Sequence, residues 1–383
     1  WPFGTVNTVT VAGLRNLEGY PSSSVSLSFT TRAALANSML YVGNATHGPI
    51  GERSAAAVNL QSSGVTQINF DGSRQGCGGA RRVAVDPLTG TVWYGMMGTV
   101  SLYRVDMETN TALDPMLLDL ETMHPVQGLI LTDTDLCVAF GQAAWASYSR
   151  QNQLECRSRT TMQTVFKSTA GFLADASTMM TIGLRYLPFG TEKKLYALSA
   201  DKASHFGEVW DGSGGIREGY EPGMKGEVTE IDATTYQVTK RYQVGSVPQG
   251  IDRDPVTGDL YVVNSGDRSL SVIARNGHVT TVSLATAFTG MQRPMRIRVD
   301  QPRKKFYVTD YLGGVVVFDL VTRREVTRLP VGVLPVDLTM STDSLYVVAM
   351  SGTVTEIALS TLTVRRTFGG LGWNSYAIDL YDK

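Results

Sequence analysis

The sequence predicts an all-β fold, a seven-bladed β-propeller of four-stranded antiparallel blades. Three observations support this prediction: a degenerate repeat recurs along the chain, each copy joins a short alternating segment to an apolar one, and further alternating segments follow. No helical apolar period persists beyond a turn or two. A period of about 40–50 residues made of short strands is typical of propellers, because small sheets stacked radially cover each other's faces.

The repeat is clearest in residues 251–264, which read IDRDPVTGDLYVVN. A short alternating strand ends at Asp254, a turn containing proline and glycine reverses the chain, and an apolar second strand follows. Residues 83–94 and 297–308 have the same arrangement, and in all three copies an aromatic residue lies 7 positions after the aspartate. Chance seldom gives that spacing three times in one chain, so the copies indicate a structural repeat.

Looser copies complete the set. Residues 338–348 and 129–139 resemble each other more than they resemble the first three, and residues 183–198 and 35–43 give two more copies. The apolar run in each copy predicts a strand sandwiched between neighbouring blades, because a strand buried on both faces shows no clean alternation. The copy count leaves six or eight blades as alternatives to seven. The predicted second-strand positions are Tyr41, Trp93, Cys137, Tyr196, Tyr261, Tyr307 and Tyr346.

Both ends of the chain are predicted to be strands. The N-terminal segment TVNTVTVAG and the C-terminal segment YAIDLYD alternate in the way that strands do, and we expect them to close the ring together. We therefore predict that residues 1–383 form a single propeller domain. The fourth blade carries an insertion at about residues 201–226, which lengthens that copy of the repeat.

The stretches LYVVN, FYVTD and LYVVA resemble the YVTN/NHL family of propeller repeats. In that family the motif marks the second strand and the adjoining turn, which agrees with the position predicted here. The resemblance implies the architecture over most of the chain. Propellers of this type include substrate-binding scaffolds, surface adhesion domains, lyases, lactonases and the heavy subunits of some amine dehydrogenases, so the resemblance does not select one reaction.

Composition narrows the range of partners. Hydrophobic residues make up 43% of the 383-residue chain, charged residues make up 18%, and the formal net charge is −1 with scattered lysine and arginine. We expect no nucleic-acid partner, because nucleic acid attracts basic patches. We also expect no membrane insertion, because no apolar run approaches the roughly 20 residues of a membrane helix. The start at Trp1 suits an exported chain, which predicts a periplasmic, secreted or cell-surface location.

The three cysteines allow at most one internal disulfide. Cys137 lies within the apolar stretch LCVAF, so we expect a buried thiol at that position. Cys77 and Cys156 have polar, loop-like surroundings and are the better candidates for a bridge.

Residues just before each predicted first strand should lie around one mouth of the central channel. The stretches HPVQG and VPQG match in register, which places Gln127 and Gln249 at equivalent positions. Guanidinium groups that converge on one funnel can bind a carboxylate, a phosphate or a peptide carbonyl, since arginine offers a planar fork of donors. Hydrogen bonds to blade carbonyls and channel water are the alternative. The candidate ligand-binding residues are Arg81, Arg82, Gln127, Gln249, Arg293 and Arg296.

The insertion in the fourth blade is the candidate partner-binding segment. It is long, glycine-rich and polar, and long loops on a rigid scaffold are where binding residues concentrate. Aromatic side chains such as Trp210 and Tyr220 are the anchors that protein interfaces use. Its histidine and carboxylates show no recognised ligand spacing, so we expect no metal. The candidate partner-binding residues are His205, Trp210, Tyr220 and Glu221.

These features favour a non-catalytic extracytoplasmic propeller that binds another protein or serves as a scaffold subunit. The sequence contains no nucleophile elbow, phosphate-binding loop, dinucleotide fingerprint or haem attachment motif, and we expect no cofactor. The alternative is a propeller enzyme of the lyase or lactonase type, or the heavy-subunit scaffold of an oxidoreductase. Such an enzyme would use His124 or His205 as acid or base at the channel mouth, with the arginines there holding an anionic substrate.

Overall fold

Seven four-stranded antiparallel sheets and two separate two-stranded sheets make up the described part of the chain. The innermost strands of the seven sheets contact one another in succession around a closed ring. The predicted seven-bladed β-propeller is therefore confirmed. The computed structural model describes residues 6–11, 25–30, 35–45, 55–70, 79–96, 101–118, 126–141, 152–201, 209–210, 216–217, 225–284, 291, 293–372 and 374–383.

Two strands precede the ring, β1 (Val6–Val11) and β2 (Val25–Thr30), and they pair only with each other among the described residues. The strands of the first two blades, from the channel outward, are β32 (Ser375–Tyr381), β3 (Met39–Asn44), β4 (Ala55–Asn59) and β5 (Val65–Ile68) in blade one, and β6 (Ala80–Asp86), β7 (Thr91–Met96), β8 (Ser101–Asp106) and β9 (Ala112–Leu117) in blade two.

Blades three and four follow in chain order. Their strands are β10 (Val126–Leu131), β11 (Asp135–Phe140), β12 (Gln153–Ser158) and β13 (Thr164–Lys167) in blade three, and β14 (Met179–Tyr186), β15 (Lys194–Asp201), β18 (Gly226–Asp232) and β19 (Val238–Val244) in blade four. A short hairpin, β16 (Val209–Trp210) with β17 (Ile216–Arg217), lies in the chain between β15 and β18.

Blades five to seven complete the ring. Their strands are β20 (Pro248–Arg253), β21 (Leu260–Asn264), β22 (Ser269–Ile273) and β23 (Val279–Ser283) in blade five, β24 (Pro294–Asp300), β25 (Lys305–Asp310), β26 (Gly314–Asp319) and β27 (Glu325–Leu329) in blade six, and β28 (Pro335–Met340), β29 (Ser344–Ala349), β30 (Thr353–Ala358) and β31 (Thr363–Phe368) in blade seven.

The hydrophobic core lies between neighbouring blades. In one cluster, Tyr41 of blade one packs with Val92 and Tyr94 of blade two, and all three are buried. Each second strand is covered on both faces in this way, which explains its continuous apolar run. All seven predicted second-strand positions lie on second strands and are buried, which confirms the repeat assignment.

The aspartate of the clearest repeat forms the turn between the first and second strands. The carboxylates of Asp86 and Asp254 each accept hydrogen bonds from the backbone N–H groups two and three residues further on. In blade six, Asp300 also accepts a hydrogen bond of 3.1 Å from the hydroxyl of Tyr307, the aromatic residue 7 positions later. These aspartates form Asx turns, so the aspartate of the repeated motif has a structural role.

A hydroxyl replaces the carboxylate in the two copies that resemble each other. Thr132 Oγ1 accepts hydrogen bonds from the N–H groups of Thr134 and Asp135. Ser341 Oγ does the same with residues 343 and 344. The two copies therefore resemble each other because blades three and seven share the same type of turn, in which a serine or threonine hydroxyl accepts the hydrogen bonds.

The ring closes in blade one, where β32 supplies the channel-lining strand. Closure by the chain ends was predicted, and the C-terminal segment YAIDLYD is the predicted channel-lining strand. Its partner differs from the expectation: β32 pairs with β3, while the segment TVNTVTVAG contains β1 and pairs with β2. Residues 35–38 before β3 form no strand, so the channel-side position next to β3 is open to the C-terminal strand.

The disulfide joins Cys137 to Cys156, which corrects the expected pairing of Cys156 with Cys77. The two cysteines are directly opposite each other on β11 and β12, and both are fully buried. The expectation failed because residue 156 lies within a strand and not in a loop. Opposed positions on antiparallel strands bring side chains together. Cys77 lies outside the described residues.

Candidate functional site in the central channel

The first strands line the channel, and their register aligns the side chains that face it. Each pairing of a first with a second strand has an irregularity near the start of the first strand. In each first strand, one residue is paired with the second strand just before the irregularity, and the residue two positions after it faces the channel. These residues form the upper tier: Arg82, Gly128, Gly183, Gly250, Arg296, Asp337 and Ala377. The lower tier, two positions further along, consists of Ala84, Ile130, Arg185, Asp252, Arg298, Thr339 and Asp379.

The two tiers hold four guanidinium groups and three carboxylates. A cavity of about 80 Å³ lies among them. This arrangement concentrates charge of both signs around one cavity. The charged residues that line the cavity are Arg82, Arg185, Arg296, Asp337 and Asp379.

The three aspartates link neighbouring blades through the backbone. Each carboxylate accepts one hydrogen bond from the N–H of the next residue in the chain. Its second oxygen accepts a hydrogen bond from the first strand of the next blade. These second donors are the N–H groups of Val299 for Asp252, Val85 for Asp379 and Ile378 for Asp337, at 2.8, 2.9 and 3.4 Å. Burial raises the pKa of Asp379.

Arg82 joins three blades from the upper tier. Its Nε donates to the carbonyl of Gln127 in blade three at 2.6 Å, and its Nη2 donates to the carbonyl of Ile182 in blade four at 3.0 Å. Blades three and four approach closely here, since a Cβ atom at Gly128 would lie 2.4 Å from the Cβ of Leu184. Burial, and then the positive charge of Arg296, lower the pKa of Arg82 to about 9.

Arg296 makes corresponding contacts on the other side of the channel. Its Nη1 donates to the backbone carbonyl of Gln249 in blade five and, at 3.3 Å, to the Oε1 of the same side chain. Its Nε lies 3.6 Å from Oδ1 of Asp337 in blade seven. Two of the candidate ligand-binding arginines therefore donate to blade carbonyls, as the alternative expectation described.

Arg185 in the lower tier was not among the sequence candidates. Its guanidinium group lines the cavity and makes no hydrogen bond to any residue that the structure describes. Burial, followed by the positive charge of Arg298, lowers the pKa of Arg185 to about 10. The group remains charged at neutral pH.

The remaining channel-mouth candidates occupy the edge of this site. Gln127 and Gln249 each precede an upper-tier glycine, so their predicted equivalence is confirmed. The Arg81 guanidinium carbon lies 4.9 Å from the ring centroid of Tyr376. Arg293 is buried, and its guanidinium carbon lies 4.8 Å from the ring centroid of Tyr311. Only Arg82, Gln249 and Arg296 among the candidates line the cavity.

The predicted partner-binding residues fall in a segment of which the structure describes little. Trp210 belongs to β16, and only its backbone pairing with Ile216 is described. His205, Tyr220 and Glu221 lie outside the described residues, as does His124, so the acid–base candidates of the enzyme alternative are not placed.

Five charged channel residues escaped the sequence analysis, and they share one signal. In six of the seven blades a charged residue lies in one or both tiers, at positions two apart, so aligning the seven first strands with one another would have indicated them. The residues missed are Arg185, Asp252, Arg298, Asp337 and Asp379.

Two kinds of feature are absent from the described ranges. No group of three or more histidine, cysteine, aspartate or glutamate side chains there could hold a metal ion. Within the same residues, no helix is long and apolar enough to cross a membrane.

Comparison with known proteins supports the class defined by the fold, a seven-bladed β-propeller. No family model matches the chain, and no curated protein matches it in sequence. The structure is similar to Kuenenia stuttgartiensis hydrazine synthase (15% identity, TM-score 0.61), with 83% of this chain and 96% of that chain covered. It is also similar to a candidate 6-phosphogluconolactonase of Bacteroides fragilis (12% identity, TM-score 0.61, 91% and 98% covered) and to Citrobacter koseri AztD (10% identity, TM-score 0.53, 91% and 98% covered). At these identities the likeness shows the fold alone.

Proposed function

We propose that this chain is a non-catalytic, extracytoplasmic binding propeller that docks a protein partner on one face of the ring. We call this face the insertion face. It is the face at which the first strands begin and the second strands end. The opposite face, the turn face, carries the turns between first and second strands and between third and fourth strands.

The difference between the two faces is the observation that carries the proposal. The connections between first and second strands and between third and fourth strands are all short, and the longest is residues 187–193. Residues 31–38, which join β2 to the start of β3, also reach the turn face. The insertion face carries the connections between second and third strands, including residues 141–152 of blade three and 202–225 of blade four. Binding residues concentrate on long loops held by a rigid scaffold, so unequal loop lengths favour recognition at the insertion face.

The disulfide supports the extracytoplasmic part of the proposal. Cys137 and Cys156 form a buried bridge between β11 and β12. Disulfides form and persist in oxidising compartments such as the periplasm or the extracellular space, and they are rare in reducing cytosol. A formal net charge of −1 also suits a protein partner better than a polyanion.

Replacing residues 203–222 with a short glycine–serine linker tests the proposal. We expect a protein to co-purify stoichiometrically with the intact chain and to be lost from the variant, while the circular dichroism and melting temperature of the variant stay unchanged. The matched control is Leu88→Ser, which alters an exposed apolar residue on the turn face and should retain the partner. Normal partner binding by the linker variant, or loss of binding by the control, would place recognition elsewhere.

A further inference from the structure

In the two described tiers of the channel, four guanidinium groups face three carboxylates, so positive charge exceeds negative charge by one group. The three carboxylates are already satisfied by backbone N–H donors, two for each side chain. Arg82 and Arg296 donate to carbonyls of other blades, and Arg298 donates to the carbonyl of Ile297 at 2.9 Å. Arg185 alone among the four arginines has no hydrogen-bond acceptor in the described structure.

The surroundings of Arg185 make an unpaired cation costly. The side chain is only partly exposed, and burial, followed by the charge of Arg298, lowers its pKa. The carboxylates of Asp337 and Asp252 act in the opposite direction but do not restore the usual value, and neither accepts a hydrogen bond from this guanidinium group. Buried polar groups without partners carry a desolvation penalty, which is larger for charged groups. A bound anion would remove this penalty, supply an acceptor for the guanidinium fork and cancel the excess positive charge.

We propose that the central channel is a binding site for one small oxyanion, a phosphate or a carboxylate, held by the guanidinium group of Arg185. The cavity of about 80 Å³ restricts the ligand to a few heavy atoms or to one terminal group of a larger molecule. Arginine suits this task because its parallel N–H donors match two oxygens of a carboxylate or phosphate. This proposal rests on the channel residues alone, so it does not depend on the proposed protein contact at the insertion face.

Titration with two probes tests the site. Inorganic phosphate and sodium acetate are added separately to the full-length chain at constant ionic strength set by sodium chloride. Binding is followed by calorimetry and by the shift in melting temperature. We expect saturable binding of at least one probe at one site per chain, with a rise in melting temperature, because a ligand that binds the folded state stabilises it. A response to phosphate alone or to acetate alone identifies the preferred oxyanion.

Arg185→Gln should weaken the binding of that probe at least about tenfold, because it removes a charged donor from the anion. The control is Arg275→Gln, which removes an exposed arginine of blade five and should leave the affinity unchanged. If Arg185→Gln fails to fold, Arg185→Lys replaces it, since lysine keeps the charge but loses the planar fork. Absence of saturable binding of both probes to the original chain, or equal affinity in the Arg185 variant, would overturn the proposal.

Discussion

Charged side chains in the channel differ in what they contact, although they share two tiers of one ring. Asp252 and Asp379 bind backbone N–H groups on either side of a blade junction, and Arg82 donates to carbonyls of two other blades. These residues hold blades together. Arg185 lines the same cavity and has no such bond within the described structure. At the scale of single residues, hydrogen-bond partners therefore distinguish the side chains that link blades from Arg185, the side chain proposed to bind an anion.

Sequence reasoning found some of these side chains and missed others. Arg82 and Arg296 were identified because they lie where a predicted first strand begins. Arg185 lies further along its strand, and its orientation depends on the irregularity between Thr181 and Gly183. A bulge of this kind reverses which side chains face the channel, and one sequence alone gives no direct signal for it.

Gly128→Ala tests the close approach of blades three and four. A Cβ atom at residue 128 would lie 2.4 Å from the Cβ of Leu184 and 3.0 Å from its backbone nitrogen, so the blades must separate. We expect the free energy of unfolding, measured by urea denaturation, to fall by about 1–3 kcal/mol, as for other overpacked cores.

The control for this substitution is Gly369→Ala, where an added Cβ would meet no atom within 4 Å. That variant should be unchanged or more stable by up to about 1 kcal/mol, because alanine restricts the unfolded chain. Equal free energies of unfolding for the two variants would show that blades three and four pack less tightly than described.

At the scale of elements, turns on the outer strands repeat as regularly as the turns near the channel. Asp106, Asp232 and Asp319 each end a third strand and accept hydrogen bonds from the N–H groups two and three residues later. A threonine hydroxyl three residues after each aspartate adds another bond. This D-x-x-T pattern is visible in the sequence and provides a second repeat signal that the sequence analysis did not use.

These turns predict a component of the pH dependence of stability. The backbone N–H and the hydroxyl of Thr322 hold the pKa of Asp319 below its usual value. The pKa of Asp232 is also lowered, and the hydrogen bond from the backbone N–H of Thr235 is the largest cause. A carboxylate whose pKa is lowered on folding stabilises the fold above its unfolded pKa of about 3.9, and this stability is lost as the pH falls through the folded pKa.

The double variant Asp232→Asn, Asp319→Asn should therefore lose less stability than the original chain when the pH falls from 6 to about 2.5. Asparagine preserves the turn but has no charge to titrate. Urea denaturation at several pH values measures the effect. The control is Asp114→Asn, which changes an exposed carboxylate outside these turns. An acid response of the double variant equal to that of the control would contradict the assigned role of the turns.

Second strands were predictable and strand partners at the chain ends were not. Burial on both faces forces each second strand to be apolar, so Tyr41 and Trp93 could be placed from the repeated apolar runs. By contrast, β1 and β32 both alternate, and alternation is compatible with any antiparallel neighbour. The pairing of β32 with β3 depends on the length and path of the chain around the whole ring.

At the scale of the whole molecule, the two faces of the ring are unequal. Tight Asx and hydroxyl turns close the turn face, whereas the insertion face carries residues 141–152 and 202–225 on the ends of buried strands. A sevenfold repeat requires no such difference, and the long connections within blades three and four support the proposed contact with a partner at this face. The sequence located the blade-four insertion, but its face follows only from the strand order.

Amide hydrogen exchange of the full chain, alone and with any protein that it captures from its own source, tests the proposed contact most directly. Our account predicts that the partner slows exchange in residues 202–225 and in other connections of the insertion face, because a docked surface excludes solvent from the amides it covers. Exchange on the turn face, including residues 187–193, should not change. Slower exchange confined to the turn face would contradict the account.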